Sequence, residues 1–104
     1  MSLSHNKLND LPQSIGNLRQ LAHLYLQKNC LTSLPEAIGA WCELKDLDLS
    51  SNRLSSLPGS IGNLHGLMRL HLEKNCLSCL PKSMGAWRAL ETCVLASNQL
   101  DSVP

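Results

Sequence analysis

The segment from Leu44 to Gly66 reads LKDLDLSSNRLSSLPGSIGNLHG, and a near copy of it recurs every 23 residues along the chain. Its Leu-Pro pair returns as Leu11-Pro12, Leu34-Pro35, Leu57-Pro58 and Leu80-Pro81, with Val103-Pro104 in the fifth place. A fixed period of this size predicts a stack of similar supersecondary units rather than one globular core. The 104 residues hold about four and a half such units.

The shared skeleton, L-x-x-L-x-L-x-x-N-x-L-x-x-L-P-x-x-I-G-x-L-x-x, resembles the leucine-rich repeat. More narrowly, it is similar to the 23-residue intracellular class found in Ras-regulating and scribble-type scaffold proteins. The resemblance covers residues 1–104 and implies one domain of fold class α/β. That domain would be a right-handed leucine-rich-repeat solenoid with a parallel concave sheet and short helical or 3₁₀ turns on the convex side.

The local pattern predicts the same elements without the resemblance. In Leu47-Asp48-Leu49 the leucines alternate with a polar residue, which is typical of a short strand with one face buried. In the segment from Leu34 to Gly39, proline stands where a helical turn begins and glycine where it ends. A narrow strand on one side and a wider turn on the other bend the stack into an arc.

One asparagine per repeat stands where the chain turns after the strand. Its amide group can satisfy backbone groups of its own turn and of the neighbouring turn. We therefore expect these side chains to form a buried structural ladder, whose members are Asn6, Asn29, Asn52, Asn75 and Asn98.

The outward positions of the predicted strands form the candidate partner-binding surface. In such a sheet, equivalent residues of neighbouring strands line up about 4.8 Å apart. The candidate residues are His23, Tyr25, Lys28, Asp46, Asp48, Arg69, His71, Glu73 and Lys74. In the resembled family this concave face is the usual partner surface, and one aromatic residue beside an arginine is typical of a small hot spot. The alternative is a merely solvated face on which Asp46 and Arg69 pair loosely.

Two other chemistries are weaker alternatives. A metal site would draw two imidazoles and two carboxylates from His23, Asp46, Asp48 and His71. The histidines lie two strands apart, on the order of 12 Å by strand spacing and offset, which is too long for a compact metal site.

The Cys76-Leu-Ser-Cys79 spacing is typical of redox and zinc sites, but it has no second pair, and Leu77 belongs to the repeat skeleton. We expect structural or inert cysteines, with Cys93 a small core residue, and no metal or cofactor.

The two tryptophans alternate with leucine at one position of the repeat. Trp41 and Trp87 stand where the other repeats have Leu18 and Leu64, so a unit of two repeats was duplicated. We expect both indoles to line the inside of the outer wall, with each N–H finding a partner.

Composition bears on location and on excluded partners. A formal charge of +1 favours neither nucleic acid nor an anionic membrane surface, and no apolar run approaches the length of a membrane span. The five cysteines are an odd number and Asn-x-Ser/Thr acceptors are absent, which favours a reducing compartment, the cytoplasm. The ends carry no capping segment, so we expect an excerpt of a longer array, or ends covered by another copy.

These observations predict a non-catalytic protein–protein interaction module for intracellular signalling or scaffolding. The resemblance implies a small GTPase, a regulatory kinase or phosphatase complex, or a polarity complex as the partner, and the residues do not choose among them. The first alternative is the substrate-recognition arm of a larger enzyme, such as a ubiquitin ligase or a kinase. The second is a structural fragment that associates with itself end to end.

Overall fold

The computed structural model describes residues 1–100, in which short strands alternate with 3₁₀ helices. The strands are β1 (His23–Tyr25), β2 (Asp46–Asp48), β3 (Arg69–His71) and β4 (Thr92–Val94). The 3₁₀ helices are η1 (Gln13–Asn17), η2 (Glu36–Ala40), η3 (Gly59–Asn63) and η4 (Lys82–Ala86). The predicted fifth Leu-Pro position, Val103-Pro104, lies outside the described residues.

The strands form one parallel sheet in the order β1-β2-β3-β4. Its register follows the repeat, because each residue pairs with the one 23 positions later, as Leu24 with Leu47 and Leu47 with Leu70. Ser2 adds an isolated parallel bridge to Tyr25. The predicted fold class is confirmed: each 23-residue unit contributes one strand and one 3₁₀ turn.

The skeleton leucines fill the space between the sheet and the 3₁₀ helices. Strand residues such as Leu24, Leu47 and Leu70 are at most 1% exposed. They pack in one continuous cluster with the leucines of the turns and with Ile38 and Ile61 of the 3₁₀ helices. Since every repeat contributes the same few apolar side chains, the core is a spine shared between neighbouring repeats.

The 3₁₀ helices form a convex wall that begins at the prolines. Each proline precedes its helix in an extended conformation, and its carbonyl accepts the first i+3 hydrogen bond, as from Ile38 N–H to Pro35 O at 3.2 Å. The wall is tight at Gly62, because a Cβ added there would lie 2.4 Å from Ser83 Cβ and 2.7 Å from the Ser83 carbonyl oxygen.

The tryptophans also belong to this wall. Trp41 is fully buried and donates its indole N–H to Ile15 O at 3.0 Å, while Trp87 is 9% exposed and donates to Ile61 O at 3.1 Å. Both predicted features, an inward position and a partner for the N–H, are confirmed. Each indole bond crosses from one repeat to the repeat before it.

The repeat asparagines connect successive turns beneath the sheet edge. Asn52 Oδ1 accepts the Leu31 N–H at 3.1 Å, and its Nδ2 donates to Leu26 O at 3.0 Å and to Leu49 O at 2.9 Å. Asn29 and Asn75 are buried and repeat this arrangement. Asn98 is only partly buried and Asn6 is exposed, so the expectation of five buried members is wrong for Asn6.

The residue before each of these asparagines has a left-handed backbone. The φ angles are between 56° and 61° at His5, Lys28, Ser51, Lys74 and Ser97. This conformation reverses the chain after the strand, so that the asparagine side chain points beneath it. None of these positions is a glycine, although the left-handed region disfavours residues that carry a Cβ.

Cys93 does not match its prediction as a small core residue. It occupies the inward position of β4, in register with Leu70, but the residue is exposed. Among the described residues no strand packs beyond β4, which leaves one side of this position uncovered. The thiol is nevertheless partly enclosed, and this burial raises the pKa of Cys93.

Candidate functional site

The candidate site is the concave face, defined here as the outward side chains of β1 to β4 and of the residues directly after each strand. The register places His23, Asp46 and Arg69 in one row across the strands. Tyr25, Asp48 and His71 form the next row. The structure therefore brings together the six central residues that the sequence pattern predicted, on three neighbouring strands.

Asp46 is the centre of an ion-pair cluster rather than one half of a loose surface pair. Its carboxylate accepts hydrogen bonds from Arg69 Nε and from Arg69 Nη2, the latter at 2.9 Å. Its Oδ2 also lies 2.8 Å from His23 Nδ1. The residue is only 8% exposed, whereas the side chains of His23 and Arg69 are about half exposed, at 49% and 46%.

These contacts change the acidity of the carboxyl group. The hydrogen bond from Arg69 lowers the pKa of Asp46, burial works against this shift, and the hydrogen bond from His23 adds to it. In turn, Asp46 raises the pKa of the Arg69 guanidinium, chiefly through the same hydrogen bond. The bidentate arrangement fixes the plane of the guanidinium group and leaves Nη1 free of this pairing.

Asp48 has a different role, although it lies only two residues away. Its Oδ1 accepts the Ser50 N–H at 3.0 Å and the Ser50 hydroxyl at 2.7 Å. These bonds hold the chain as it leaves β2. Asp48 Oδ2 has no hydrogen-bond partner among the described residues, so half of this carboxylate remains available on the concave face.

The row beyond the strands carries two enclosed oxygen atoms that have no hydrogen bond. They are Gln27 Oε1 and Glu73 Oε1, and both are almost inaccessible to solvent. Glu73 Oε1 lies 3.7 Å from His71 Nδ1, which is an ion pair only when the imidazole is protonated. Buried acceptors without a donor are uncommon in folded proteins.

A shallow depression occupies the middle of this face. It measures about 190 Å³ and is lined by Tyr25, Asp46, Leu47, Asp48, Arg69 and His71. It thus spans β1, β2 and β3. Small-molecule sites usually measure about 300 Å³ or more, so this depression has the size for a single side chain rather than for a cofactor.

The predicted rim residues Lys28 and Lys74 lie at the left-handed positions after β1 and β3, and both are exposed. They do not line the depression. Sequence reasoning missed Gln27 as an enclosed residue and missed the burial of Asp46. The period predicts which residues share a row across the strands. It does not predict that a long side chain such as Arg69 folds over its neighbour Asp46.

The four residues of the alternative metal site do not converge. His23 and Asp46 are in contact, whereas Asp48 binds Ser50 and His71 approaches Glu73. Within residues 1–100 no group of three or more histidine, cysteine or acidic side chains is placed to hold a metal ion. The polar side chains of this face thus pair locally, His23 with Asp46, Asp48 with Ser50 and His71 with Glu73.

The period, the parallel sheet and the asparagine ladder define a class of repeat protein. Residues 1–103 match the family described as a leucine-rich repeat region. The chain belongs to the leucine-rich repeat family. This fold generally acts as a non-catalytic module for protein interaction.

Two solved structures share the architecture. A leucine-rich repeat protein of Leptospira interrogans superimposes with a TM-score of 0.83 at 32% identity, over 94% of this chain and 31% of that chain. The leucine-rich repeat domain of APL1B superimposes with a TM-score of 0.91 at 25% identity, over 98% of this chain and 31% of that chain.

A curated relative is an adenylate cyclase of Schizosaccharomyces pombe, which is 44% identical over 50 residues. The match covers 47% of this chain and 3% of that protein. The chain therefore spans less than a third of the two structures and a small part of the cyclase. In the described part of this chain, every helix is too short and too polar to cross a membrane.

Proposed function

We propose that this chain is a non-catalytic recognition module that binds a protein partner through its concave face. The observation that carries the proposal is the ordered display of Tyr25, Asp48 and His71 on adjacent strands beside the Asp46–Arg69 pair. Because rigid strands hold these side chains in place, little conformational entropy is lost when a partner contacts them.

The proposed setting is intracellular signalling or scaffolding in the cytoplasm. Support comes from the resemblance to Ras-regulating and scribble-type scaffolds and from the odd number of cysteines. On that resemblance, the partner is a small GTPase or a regulatory kinase or phosphatase complex. Fractionation of source cells, with detection of the endogenous protein, tests the location.

The size of the face limits the affinity of this chain alone. Four strands about 4.8 Å apart present a tile well below the ~800 Å² per partner that a stable complex buries. We therefore expect weak binding by residues 1–104 and tighter binding when adjoining surface takes part.

Photo-crosslinking tests the proposed face directly. Tyr25 is replaced by p-benzoylphenylalanine in one variant and the exposed Lys82 of η4 in another. In extract of source cells, illumination should join a partner to the Tyr25 variant and not to the Lys82 variant, and mass spectrometry identifies it. Equal capture by both positions, or capture at Lys82 alone, would contradict the proposal.

A second candidate function is the substrate-recognition arm of a larger enzyme. One observation favours it: the similar segment in the Schizosaccharomyces pombe adenylate cyclase makes up 3% of that protein, so such repeats occur within a long enzyme chain. Mass measurement of the endogenous protein, recovered by antibody, separates the two candidates. A chain several times longer that carries a catalytic domain supports the second.

A further inference from the structure

The charges around the central depression are unbalanced. Among the lining residues, Asp46 and Asp48 contribute two carboxylates, while Arg69 contributes one guanidinium and His71 an imidazole. Asp46 and Arg69 neutralise each other through two hydrogen bonds. The remaining charge of the lining is therefore negative and belongs to Asp48.

The negative groups also have unused bonding capacity. Asp48 directs Oδ1 to Ser50, and its Oδ2 has no partner in the described part of the chain. Glu73 Oε1 is enclosed without a hydrogen bond, although an imidazole nitrogen lies 3.7 Å away. Glu73 Oε1 is almost inaccessible to solvent, so Asp48 Oδ2 is the acceptor open to a partner, and a group that satisfies it must donate a hydrogen bond.

An aromatic ring completes the surroundings. Tyr25 pairs directly with Asp48 in the β1–β2 register and lines the same depression. A phenol face attracts a cation electrostatically, and most strongly where water is excluded. Carboxylate acceptors on one side and a π face on the other form an environment that suits an ammonium or guanidinium group.

We propose that the depression receives a basic side chain, arginine or lysine, from the protein partner. This inference rests on the proposed function and specifies the partner's chemistry at the centre of the concave face. The volume of about 190 Å³ suits one such side chain. An acidic side chain at the same place would meet the uncompensated charge of Asp48.

Titration of ¹⁵N-labelled protein with small probes tests this inference without a known partner. The probes are N-acetyl-arginine methylamide, its neutral analogue N-acetyl-norleucine methylamide and the acidic N-acetyl-glutamate methylamide. The arginine probe should cause saturable shifts of the Tyr25, Asp48 and His71 amide signals, with a dissociation constant in the millimolar range that rises with salt. The other two probes should cause no saturable shift there.

A matched pair of variants removes one carboxylate at a time. Asp48→Asn keeps an oxygen for the Ser50 bonds but removes the charge. It should raise the dissociation constant of the arginine probe about tenfold or more. Glu43→Gln removes the same charge from an exposed turn before β2 and should leave the affinity unchanged. Retained spectral dispersion shows that Asp48→Asn still folds.

Three results would overturn the inference: saturation by the glutamate probe at the same amides, equal response to the norleucine probe, or no saturable response to the arginine probe. Full affinity of Asp48→Asn would overturn the assignment of the acceptor and, with it, the proposed site. Crosslinking at Tyr25 does not depend on these outcomes. A face that captures a partner but ignores the arginine probe therefore refutes only this inference.

Discussion

The convex wall and the concave face are built from the same repeat but in opposite ways. On the wall, the contacts run between repeats through backbone atoms, as in the indole bond from Trp41 to Ile15 O and the close approach of Gly62 to Ser83. On the face, Asp46, Arg69 and His23 bond mainly to one another. The wall and the ladder thus connect neighbouring repeats through their backbones, whereas the bonds of the Asp46 cluster join side chains only.

The largest effect expected from this difference lies at the ladder. Asn52→Ala leaves the buried Leu31 N–H without its acceptor and removes one of the two amide donors to the Leu26 carbonyl, the other being Asn29. We expect a loss of about 3 kcal/mol or more in the free energy of unfolding, measured by urea titration. Asn63→Ala is the control, because Asn63 is exposed and alanine occupies the equivalent positions Ala40 and Ala86. Equal losses of unfolding free energy for both variants would contradict the stabilising role of the ladder bonds.

The next effect concerns the close packing between neighbouring 3₁₀ helices of the convex wall. Gly62→Ala forces a Cβ against the Ser83 carbonyl oxygen, and we expect it to cost about 2 kcal/mol of stability. Gly59 lies in the same helix η3 with nothing within 4 Å of an added Cβ. Thermal unfolding of Gly59→Ala should match the parent protein. An unchanged midpoint for Gly62→Ala would show that the repeats can separate at no cost.

A smaller effect tests whether the face contributes to stability at Asp46. The pKa of this carboxyl is lowered in the folded state, so the unfolded state binds more protons in acid. Its contribution is complete above the unfolded pKa of about 3.9 and is lost as the pH falls through the lower folded value. Urea titrations at pH 7, 5 and 3 should show the difference between parent and Asp46→Asn shrinking towards acid. A difference independent of pH would mean that the charge is not involved.

The smallest effect concerns the left-handed residue that leads into the ladder. Ser51 has φ 56°, which costs about 1–2 kcal/mol for a residue with a Cβ, while glycine loses about 0.5–1 kcal/mol in chain entropy. Ser51→Gly should therefore raise stability by about 0.5 kcal/mol. Ser55→Gly, at an exposed position without a left-handed backbone, should lower it. Differential scanning calorimetry of both variants checks the opposite signs.

Sequence alone predicted those features that depend on the period. The strand positions, the parallel register, the six central face residues and the inward tryptophans all follow from a 23-residue spacing and from alternation. The predictions of the family and of the fold class also depended on this period, and both are confirmed. The repeated pattern fixes which residues are neighbours before any side-chain geometry is known.

The features that sequence did not predict depend on the choice of rotamer and on local coverage. Asp46 is buried because Arg69 and His23 fold over it, and a period does not encode that direction. Cys93 occupies a core position and Asn6 a ladder position. Both are exposed, because a repeat position buries a side chain only when repeats pack on both of its sides. The role of the face residues as a partner surface stays a prediction until the crosslinking is done.

The ladder bonds also restrict how this architecture changes in length. Asn52 reaches back 21 residues to the Leu31 N–H and 26 residues to the Leu26 carbonyl, and Asn75 does the same with Leu54 and Leu49. Removing or adding one whole 23-residue unit restores every donor to an equivalent acceptor. An indel of another size within the strand and the turn that ends at the asparagine shifts these partners, so changes in length by whole units are the ones that leave the ladder intact.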